Sequence, residues 1–316
     1  MANGDLFNKM TLALDTDIKK IERIRAQLLM KDSDQDVGSV LYDLQQSLKS
    51  SLDTFQVKEY EIERTLEKWL LLKQDLNLAR EVQKTIFPQD NIYLSNFQLA
   101  GFTRAASSLG GDYYTYNISN TGVNAAIGDI SGKGIANALI TIMFDSHYKN
   151  LVYQEMSLQD ILFSLNQFFR GIVSNYNGLG EKFMTFLAFR FMEKIEYAGA
   201  GHEYILVNRA DQKMCERIKT GGIALGLMPE LMGQFSHGEI ELNPGDCLVT
   251  YSDGITEARN EQGSLFGLDR LVKQVELHSH LDPERVIQKI VENVDEFQGT
   301  HEQYDDITLL IIKHPE

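Results

Sequence analysis

Apolar residues recur at every seventh position between residues 41 and 76, and this repeat constrains the fold more than any other feature of the chain. The residues concerned are Leu41, Leu48, Phe55, Ile62, Trp69 and Leu76. A sustained seven-residue period is typical of long helices that pack along one seam. The pattern predicts a helix over residues 41–86, on the order of 65–70 Å long, which exceeds an ordinary globular helix. Such a helix has to bury its apolar stripe against an earlier helix, a second chain, or both.

A shorter helical pattern precedes this repeat. Its apolar residues are spaced by three and four positions, at Leu14, Ile18, Ile21, Ile24 and Leu28. We therefore interpret residues 1–86 as a helical regulatory or dimerisation region that precedes the main domain. A homodimer through these helices is the favoured arrangement, and a helical hairpin within one chain is the alternative.

Pro88 marks the end of the helical region, because proline lacks a backbone N–H and disfavours helix at the preceding residue. Residues 87–316 then alternate short apolar runs with glycine-rich turns. Strands are predicted at 97–102, 124–129, 183–191, 194–198, 204–208, 238–242, 247–252 and 307–312, and helices at 134–153, 157–173, 267–279 and 283–297. This order predicts an α+β domain in which two sheets form a core covered by helices.

The charge balance limits the possible partners. The chain has 45 acidic and 30 basic residues, for a formal net charge of −15. Nucleic acid is excluded as a main partner, because phosphate binding needs clustered Lys and Arg. No secretory signal or run of about 18 apolar residues is present, so no membrane span is expected. Two cysteines without a pairing pattern, Cys215 and Cys247, favour a reducing cytoplasm.

Four short motifs place aspartates where a strand meets a tight turn. They are Leu109-Gly110-Gly111-Asp112, Gly128-Asp129-Ile130-Ser131-Gly132, Ser252-Asp253-Gly254 and Tyr304-Asp305-Asp306. Carboxylates on such turns can converge from different strands, and glycine allows close approach of the backbone. Hard oxygen ligands of this kind select Mg²⁺ or Mn²⁺ over zinc. Any one motif taken alone is better explained as turn chemistry, so the metal interpretation depends on all four together.

From about Leu78 to the C-terminus, the chain resembles the SpoIIE/RsbU-type bacterial serine/threonine phosphatases, a branch of the PPM (type-2C) fold. Other blocks of the family lie in order around the four aspartate motifs. These are Ala79-Arg80-Glu81-Val82-Gln83, Ile86-Phe87-Pro88, Tyr197-Ala198-Gly199-Ala200-Gly201-His202, Gly221-Gly222-Ile223-Ala224-Leu225-Gly226, Leu242-Asn243-Pro244-Gly245-Asp246 and the segment 260–267. The resemblance implies a PPM-type αββα sandwich, with two antiparallel sheets flanked by helices, over residues 87–316.

The resemblance also implies a site that holds two Mn²⁺ or Mg²⁺ ions. Asp129 would bridge the two ions, with the carbonyl of Ile130 as a further ligand. Asp253 and Asp305 would complete the shell of the first ion, and Asp112 would bind it directly or through water. Asp306 is adjacent to Asp305, and the sequence leaves open which of the pair coordinates. Asp129 and Asp253 are the expected catalytic residues.

Four positions near these motifs carry further expectations. Many family members have an aspartate where this chain has Thr115, which weakens an outer metal contact. Ser131 stands where type-2C relatives often have a histidine, so water is expected to protonate the leaving group. His202 is interpreted as a structural hydrogen-bonding residue rather than a catalytic one. Lys133 either meets a phosphate or is simply solvated.

The resemblance implies that the substrate is a phosphorylated STAS-domain anti-sigma-factor antagonist in a partner-switching pathway. A catalytically silent phosphoprotein-binding regulatory module is the alternative from another class, and the four acidic motifs argue against it. A small-molecule phosphatase is a third reading, disfavoured because no motif for enclosing a small substrate is apparent.

Overall fold

The computed structural model describes residues 16, 19–24, 26–27, 37–119, 122–175, 182–212, 214–229 and 233–315. The chain divides into two compact units, Met1–Asp75 and Leu76–Glu316. None of the helices among the residues just given is both long and apolar enough to cross a bilayer.

The predicted long helix is present as α1, Val37–Lys84, which contains 48 residues. It begins four residues before the predicted start and ends two residues before the predicted end. Three successive i→i+3 bonds close the turn after it, from Thr85, Ile86 and Phe87, just before Pro88. Of the earlier apolar pattern, Ile21 and Ile24 are helical. Leu14, Ile18 and Leu28 lie outside the described residues.

The second unit contains two sheets in which all paired strands are antiparallel. The first sheet has the order β1-β2-β11-β10-β7-β8 and the second β3-β4-β5-β6-β9. The strands are β1 Ile92–Tyr93, β2 Gln98–Arg104, β3 Tyr113–Ser119, β4 Gly122–Ile130, β5 Met184–Phe191, β6 Ile195–Ala200, β7 Ile205–Arg209, β8 Met214–Ile218, β9 Ser236–Ile240, β10 Cys247–Tyr251 and β11 Ile307–Lys313.

Five helices accompany the sheets. They are α2 Ile135–Tyr153, α3 Leu158–Asn175, the single turn α4 Asp253–Thr256, α5 Leu268–His278 and α6 Pro283–Gln298. The four longer ones match the helices predicted from the sequence to within two residues at each end.

The domain has three apolar layers, one between the two sheets and one between each sheet and its helices. Successive residues of a strand face opposite sides of the sheet and therefore belong to different layers. In β11, Leu310 and Ile312 pack between the two sheets, whereas Leu309 and Ile311 face the layer under α5 and α6. In β4, Ile127 belongs to the layer between the sheets, and the neighbouring Ala126 faces α2 and α3 on the opposite side. The domain is therefore a helix–sheet–sheet–helix sandwich, as predicted.

Three strands were absent from the sequence prediction: β1, β3 and β8. β3 follows directly on the Gly110-Gly111-Asp112 turn, and its alternation of tyrosines with Thr115 and Asn117 gives little contrast in polarity. β8 lies at the edge of its sheet, where Met214 is exposed and charged side chains remain solvated. Such an edge strand carries a weak apolar signal.

Candidate active site

Strand pairing brings the four aspartate motifs to matching ends of the two sheets. Asp112 immediately precedes β3, and Asp129 is the next-to-last residue of β4, where Tyr113 pairs with Gly128. In the other sheet, Asp253 follows β10 and Asp305 precedes β11, where Tyr251 pairs with Leu309. Antiparallel neighbours place the end of one strand beside the start of the next. Each sheet therefore contributes two loops with carboxylates.

The electrostatics show that the carboxylates of the two sheets face one another. Burial raises the pKa of Asp129 to about 7, and the charges of Asp253 and Asp305 add to this effect. Burial also raises the pKa of Asp253 to about 6, followed by the charges of Asp305, Glu257 and Glu203. Burial and the neighbouring like charges both favour the protonated forms, and a nearby positive charge would favour the ionised forms.

Asp112 is the most deeply buried member of the cluster. Its side chain is only 2% exposed, and burial together with the charges of Asp129 and Asp306 raises its pKa well above the usual value. Its Oδ2 atom has no hydrogen-bond partner among the described residues. A buried carboxylate oxygen without a partner is costly, so this atom is suited to a cation or to a water bound to one.

Gly254 allows the Asp253 loop to approach the Asp305-Asp306 loop. A Cβ atom at this position would lie 1.9 Å from the carbonyl oxygen of Asp306, which no side chain tolerates. The Ser252 hydroxyl joins the same two loops, accepting from the Thr308 amide at 2.9 Å and donating to the Asp306 carbonyl at 3.2 Å. The Ser252-Asp253-Gly254 motif thus packs directly on the turn that carries Asp305.

The adjacent carboxylates of Asp305 and Asp306 have different surroundings. Asp306 is buried and accepts from the backbone amides of Ala106 and Gly111, both at 2.7 Å. Asp305 is partly exposed, and its charge acts on both Asp129 and Asp253. The charges of both residues act on the cluster, but only the Asp306 oxygens hold the loop before Asp112, whereas the Asp305 carboxylate stays partly exposed beside Lys133.

The carbonyl of Ile130 lies beside the cluster and is oriented by α2. The Asn137 side chain, which is fully buried, donates to this carbonyl at 3.0 Å. Gly111 is also close, because a Cβ there would lie 3.1 Å from the same oxygen. A carbonyl oxygen has a second lone pair, so this hydrogen bond leaves room for a metal ligand.

The other residues singled out from the sequence make defined contacts. The His202 ring hydrogen-bonds Thr185 at 3.0 Å, and burial lowers its pKa to about 4, as expected of a structural histidine. The Ser131 hydroxyl accepts from the Phe183 amide at 3.0 Å and so anchors its loop. Thr115 is buried within β3. Lys133 is not merely solvated, since its ammonium group bonds the Tyr304 carbonyl and lies 3.5 Å from Asp305 Oδ2.

The set of donors fits divalent cations bound through oxygen. All the candidate side chains are carboxylates, their mutual repulsion is strong, and Asp112 has an oxygen without a partner. Within the described parts of the chain, no three Asp, Glu, His or Cys side chains already form a group with the spacing of a metal site. The assignment of metal ligands therefore stays a proposal, carried by the electrostatic coupling.

Three residues near the cluster were given no role of their own from the sequence. Glu203 and Glu257 raise the pKa of Asp253 by their charge. Gln83, in the last turn of α1, exchanges two hydrogen bonds with the backbone of Gly110, at 2.8 and 3.3 Å. Gln83 is 5% exposed. Gln83 stands out because it is a buried glutamine at the end of a solvent-exposed helix. The sequence does not reveal that burial, which is visible only in the fold.

Comparisons with known proteins agree with this architecture. The chain is 27% identical over 245 residues to the phosphoserine phosphatase RsbU of Bacillus subtilis, covering 77% of this chain and 70% of RsbU. The SiaA-PP2C domain of Pseudomonas aeruginosa superposes with a TM-score of 0.66 at 21% identity, covering 78% of this chain and 98% of that domain. The RsbU and RsbW domains of Rv1364c from Mycobacterium tuberculosis give 0.59 at 20% identity, covering 70% and 61%.

The family model described as stage II sporulation protein E (SpoIIE) matches residues 119–315, more than half of the chain. The structural likenesses, all at low identity, establish a PP2C-type fold. This confirms the resemblance inferred from the ordered motifs. The chain belongs to the SpoIIE family and folds as a PP2C-type sandwich, with its four aspartate motifs at matching ends of the two sheets.

Proposed function

We propose that this protein hydrolyses phosphoserine or phosphothreonine on a partner protein, using two Mn²⁺ or Mg²⁺ ions. As a member of the SpoIIE family with a PP2C-type fold, the chain is a protein serine/threonine phosphatase. The proposed ligands are Asp112, Asp129, Asp253 and Asp305 together with the Ile130 carbonyl. The observation that carries the proposal is that burial and the charges of Asp253 and Asp305, which lie on one sheet, raise the pKa of Asp129 on the other.

When bound, a pair of divalent ions activates a water molecule and stabilises the charge that develops in displacement at phosphorus. The chain's own residues hold and orient the groups around that centre. Asp306 fixes the loop that carries Asp112 through two backbone amides. Asn137 fixes the Ile130 carbonyl. Lys133 brings a positive charge beside Asp305, where a phosphoryl group would approach. No protein nucleophile is required.

Asp129→Asn and Asp253→Asn test the centre. We expect each substitution to abolish Mn²⁺-dependent phosphate release from para-nitrophenyl phosphate, while the circular dichroism spectrum stays that of the folded protein. Asp269→Asn is the matched control, since its side chain is 91% exposed on α5 and pairs with Arg217. Full activity in either variant of the cluster would overturn the assignment.

For the substrate, we propose a phosphorylated STAS-domain anti-sigma-factor antagonist of a partner-switching pathway, and a cytoplasmic site of action. The support is the likeness to RsbU, whose name records phosphoserine phosphatase activity. Incubation with phosphorylated STAS proteins of the same organism, followed by phosphate-affinity electrophoresis, tests this. Absence of dephosphorylation of every such protein, by an enzyme active on para-nitrophenyl phosphate, would refute the substrate and leave the chemistry intact.

A catalytically silent phosphoprotein-binding module is the second candidate. It has in its favour that no three carboxylates within the described residues are already spaced as a metal site. Calorimetric titration with Mn²⁺ separates the two. Two binding events that disappear in Asp129→Asn support the enzyme, and the absence of binding supports the silent module.

We also propose that α1 mediates a homodimer. Its seven-residue stripe includes Leu48, Phe55, Ile62 and Trp69, whose side chains are all 41–54% exposed. Exposed large apolar residues in a continuous row favour association with a second copy. Light scattering on the full chain is expected to give a dimer that Phe55→Glu together with Ile62→Glu converts to monomer. A wild-type monomer would favour the intrachain alternative.

The helical region is proposed to regulate the phosphatase domain. Gln83 connects the last turn of α1 to Gly110, two residues before Asp112. A change at this helix end is therefore able to shift a proposed ligand. Deleting residues 1–75 is expected to change activity on para-nitrophenyl phosphate, and Gln83→Ala is expected to weaken Mn²⁺ binding. Unchanged kinetics in both variants would remove this role.

A further inference from the structure

Two positive side chains and an aromatic ring lie together beside Asp305. The Lys133 ammonium group bonds the Tyr304 carbonyl, lies 3.5 Å from Asp305 Oδ2, and is 4.0 Å from the centre of the Tyr304 ring. The Arg259 guanidinium lies 5.7 Å from the centre of the same ring. Tyr304 is 59% exposed, and Arg259 is also exposed. Three segments far apart in sequence thus form one accessible surface, which we call the Lys133–Tyr304–Arg259 surface.

The contacts of Lys133 fit a role in the aspartate cluster, whereas Arg259 contacts no carboxylate of that cluster. Lys133 offsets the charge of Asp305 and is tethered to a backbone carbonyl. In the described part of the chain, the Arg259 guanidinium has no carboxylate within salt-bridge distance. Arg217, by contrast, pairs with Asp269 at 2.7 Å. An unpaired arginine over an exposed aromatic ring is available to bind an anion from another molecule.

The charged side chains next to the aspartate cluster are of both signs. Glu203 and Glu257 act on Asp253, whereas Lys133 lies 3.5 Å from Asp305. In a chain of net charge −15, Lys133 and Arg259 bring two positive charges to the ring of Tyr304, beside Asp305. Positive side chains there attract a phosphoserine that has further acidic neighbours.

We propose that the Lys133–Tyr304–Arg259 surface determines substrate specificity by binding an acidic residue that flanks the phosphoserine. This inference rests on the proposed phosphatase function and adds the chemistry of the preferred substrate segment. Arg259 pairs with a carboxylate of the substrate through its planar guanidinium, which suits two-point binding of a carboxylate. Lys133 faces the phosphoryl group, and the exposed Tyr304 ring, which both cations approach, contacts the backbone of the bound segment.

The test compares two short synthetic phosphoserine peptides, one with aspartates and the other with lysines beside the phosphoserine. The kcat/KM of each is measured with Mn²⁺ for the full-length wild type, Arg259→Ala, Arg259→Glu and Arg285→Glu. Arg285 is the matched control, because it is an exposed arginine in the first turn of α6, and Arg285→Glu makes the same change in net charge as Arg259→Glu. The ratio of the two kcat/KM values reports specificity independently of any general loss of activity.

We expect the wild type and Arg285→Glu to prefer the acidic peptide. Arg259→Ala should lower that preference by up to about fivefold, the upper end for a solvent-exposed ion pair. Arg259→Glu should reverse it, so that the lysine peptide becomes the better substrate, and the effect should appear mainly in KM. A residue with only a structural role cannot produce such an exchange of preference.

Two failures are distinguishable. If the wild type and Arg259→Glu cleave both peptides with the same ratio, the surface does not read the flanking residue, and the inference is wrong while the phosphatase function stands. If the wild type releases no phosphate from either peptide or from para-nitrophenyl phosphate in Mn²⁺, the proposed function is wrong and the inference falls with it.

Discussion

Asp129→Asn in the metal-free protein tests whether the clustered aspartates destabilise the fold they belong to. Burial and the charges of Asp253 and Asp305 raise the pKa of Asp129 from 3.8 to about 7. In the unfolded chain this carboxyl ionises near its usual pKa. The folded protein therefore binds the proton more tightly, and its stability falls as the pH rises through the interval from about 4 to 7. Above pH 7 the loss is complete.

The size of the effect follows from the two pKa values. Their separation corresponds to roughly 4 kcal/mol at pH 8, since each pKa unit is worth about 1.4 kcal/mol. Asp253, whose pKa is itself raised to about 6, shares part of this repulsion. We therefore expect Asp129→Asn, which is nearly isosteric and uncharged, to gain about 1–3 kcal/mol in free energy of unfolding at pH 8. At pH 5 the gain should drop to less than half.

The assay is urea unfolding of the full chain followed by circular dichroism, with EDTA present, at pH 8 and pH 5. Asp269→Asn serves as the control, because its exposed carboxylate should show no such gain. In saturating Mn²⁺ the order should reverse, since the wild type alone keeps the ligand. A variant less stable than the wild type in EDTA at pH 8, or a gain independent of pH, would refute the reasoning.

Three further predictions address how the site is built. Gly254→Ala should lower kcat/KM by at least about 100-fold, because a Cβ placed 1.9 Å from the Asp306 carbonyl displaces the Asp253 loop. Gly171→Ala is its control, because a Cβ there meets nothing within 4 Å. Equal kcat/KM values for the two variants would disprove the close approach. Asp306→Asn should lower the free energy of unfolding by about 1–3 kcal/mol, because one of the two oxygens that accept from backbone amides is lost. Asp305→Asn should mainly weaken Mn²⁺ binding, as measured by calorimetry. The opposite pattern would exchange the roles of the two residues. Leu310→Ala, fully buried between the sheets, should lower the free energy of urea unfolding by about 2–5 kcal/mol, and a loss below about 1 kcal/mol would contradict that burial.

Most of the secondary structure was predictable because it depends on local patterns. The seven-residue repeat predicted α1, and Pro88 predicted its end. Apolar runs between turns predicted eight strands. β3 was not predicted because it begins directly after a glycine-rich turn. β8 was not predicted because it is a charged edge strand, paired with a neighbour on one side only, and so carries a weak apolar pattern.

The site was predictable only in part. The four aspartate motifs were recognisable from residue types and turns, and the family from their order. Residue types and turns alone did not place them together, and only the resemblance implied one site, because Asp112 and Asp129 belong to one sheet and Asp253 and Asp305 to the other. Nor does any local pattern pair Gln83 with Gly110 or place Arg259 beside Tyr304.

The sequence by itself determined most of the elements, the end of α1 near Pro88, the oxygen-rich chemistry of the motifs and the family, since each depends on the types and spacing of neighbouring residues. Only the tertiary structure distinguished the surroundings of Asp305 from those of Asp306. Which carboxylate holds the loop before Asp112 depends on where the amides of Ala106 and Gly111 lie, about 200 residues away along the chain. Long-range packing between two sheets sets that geometry, and no local pattern encodes it.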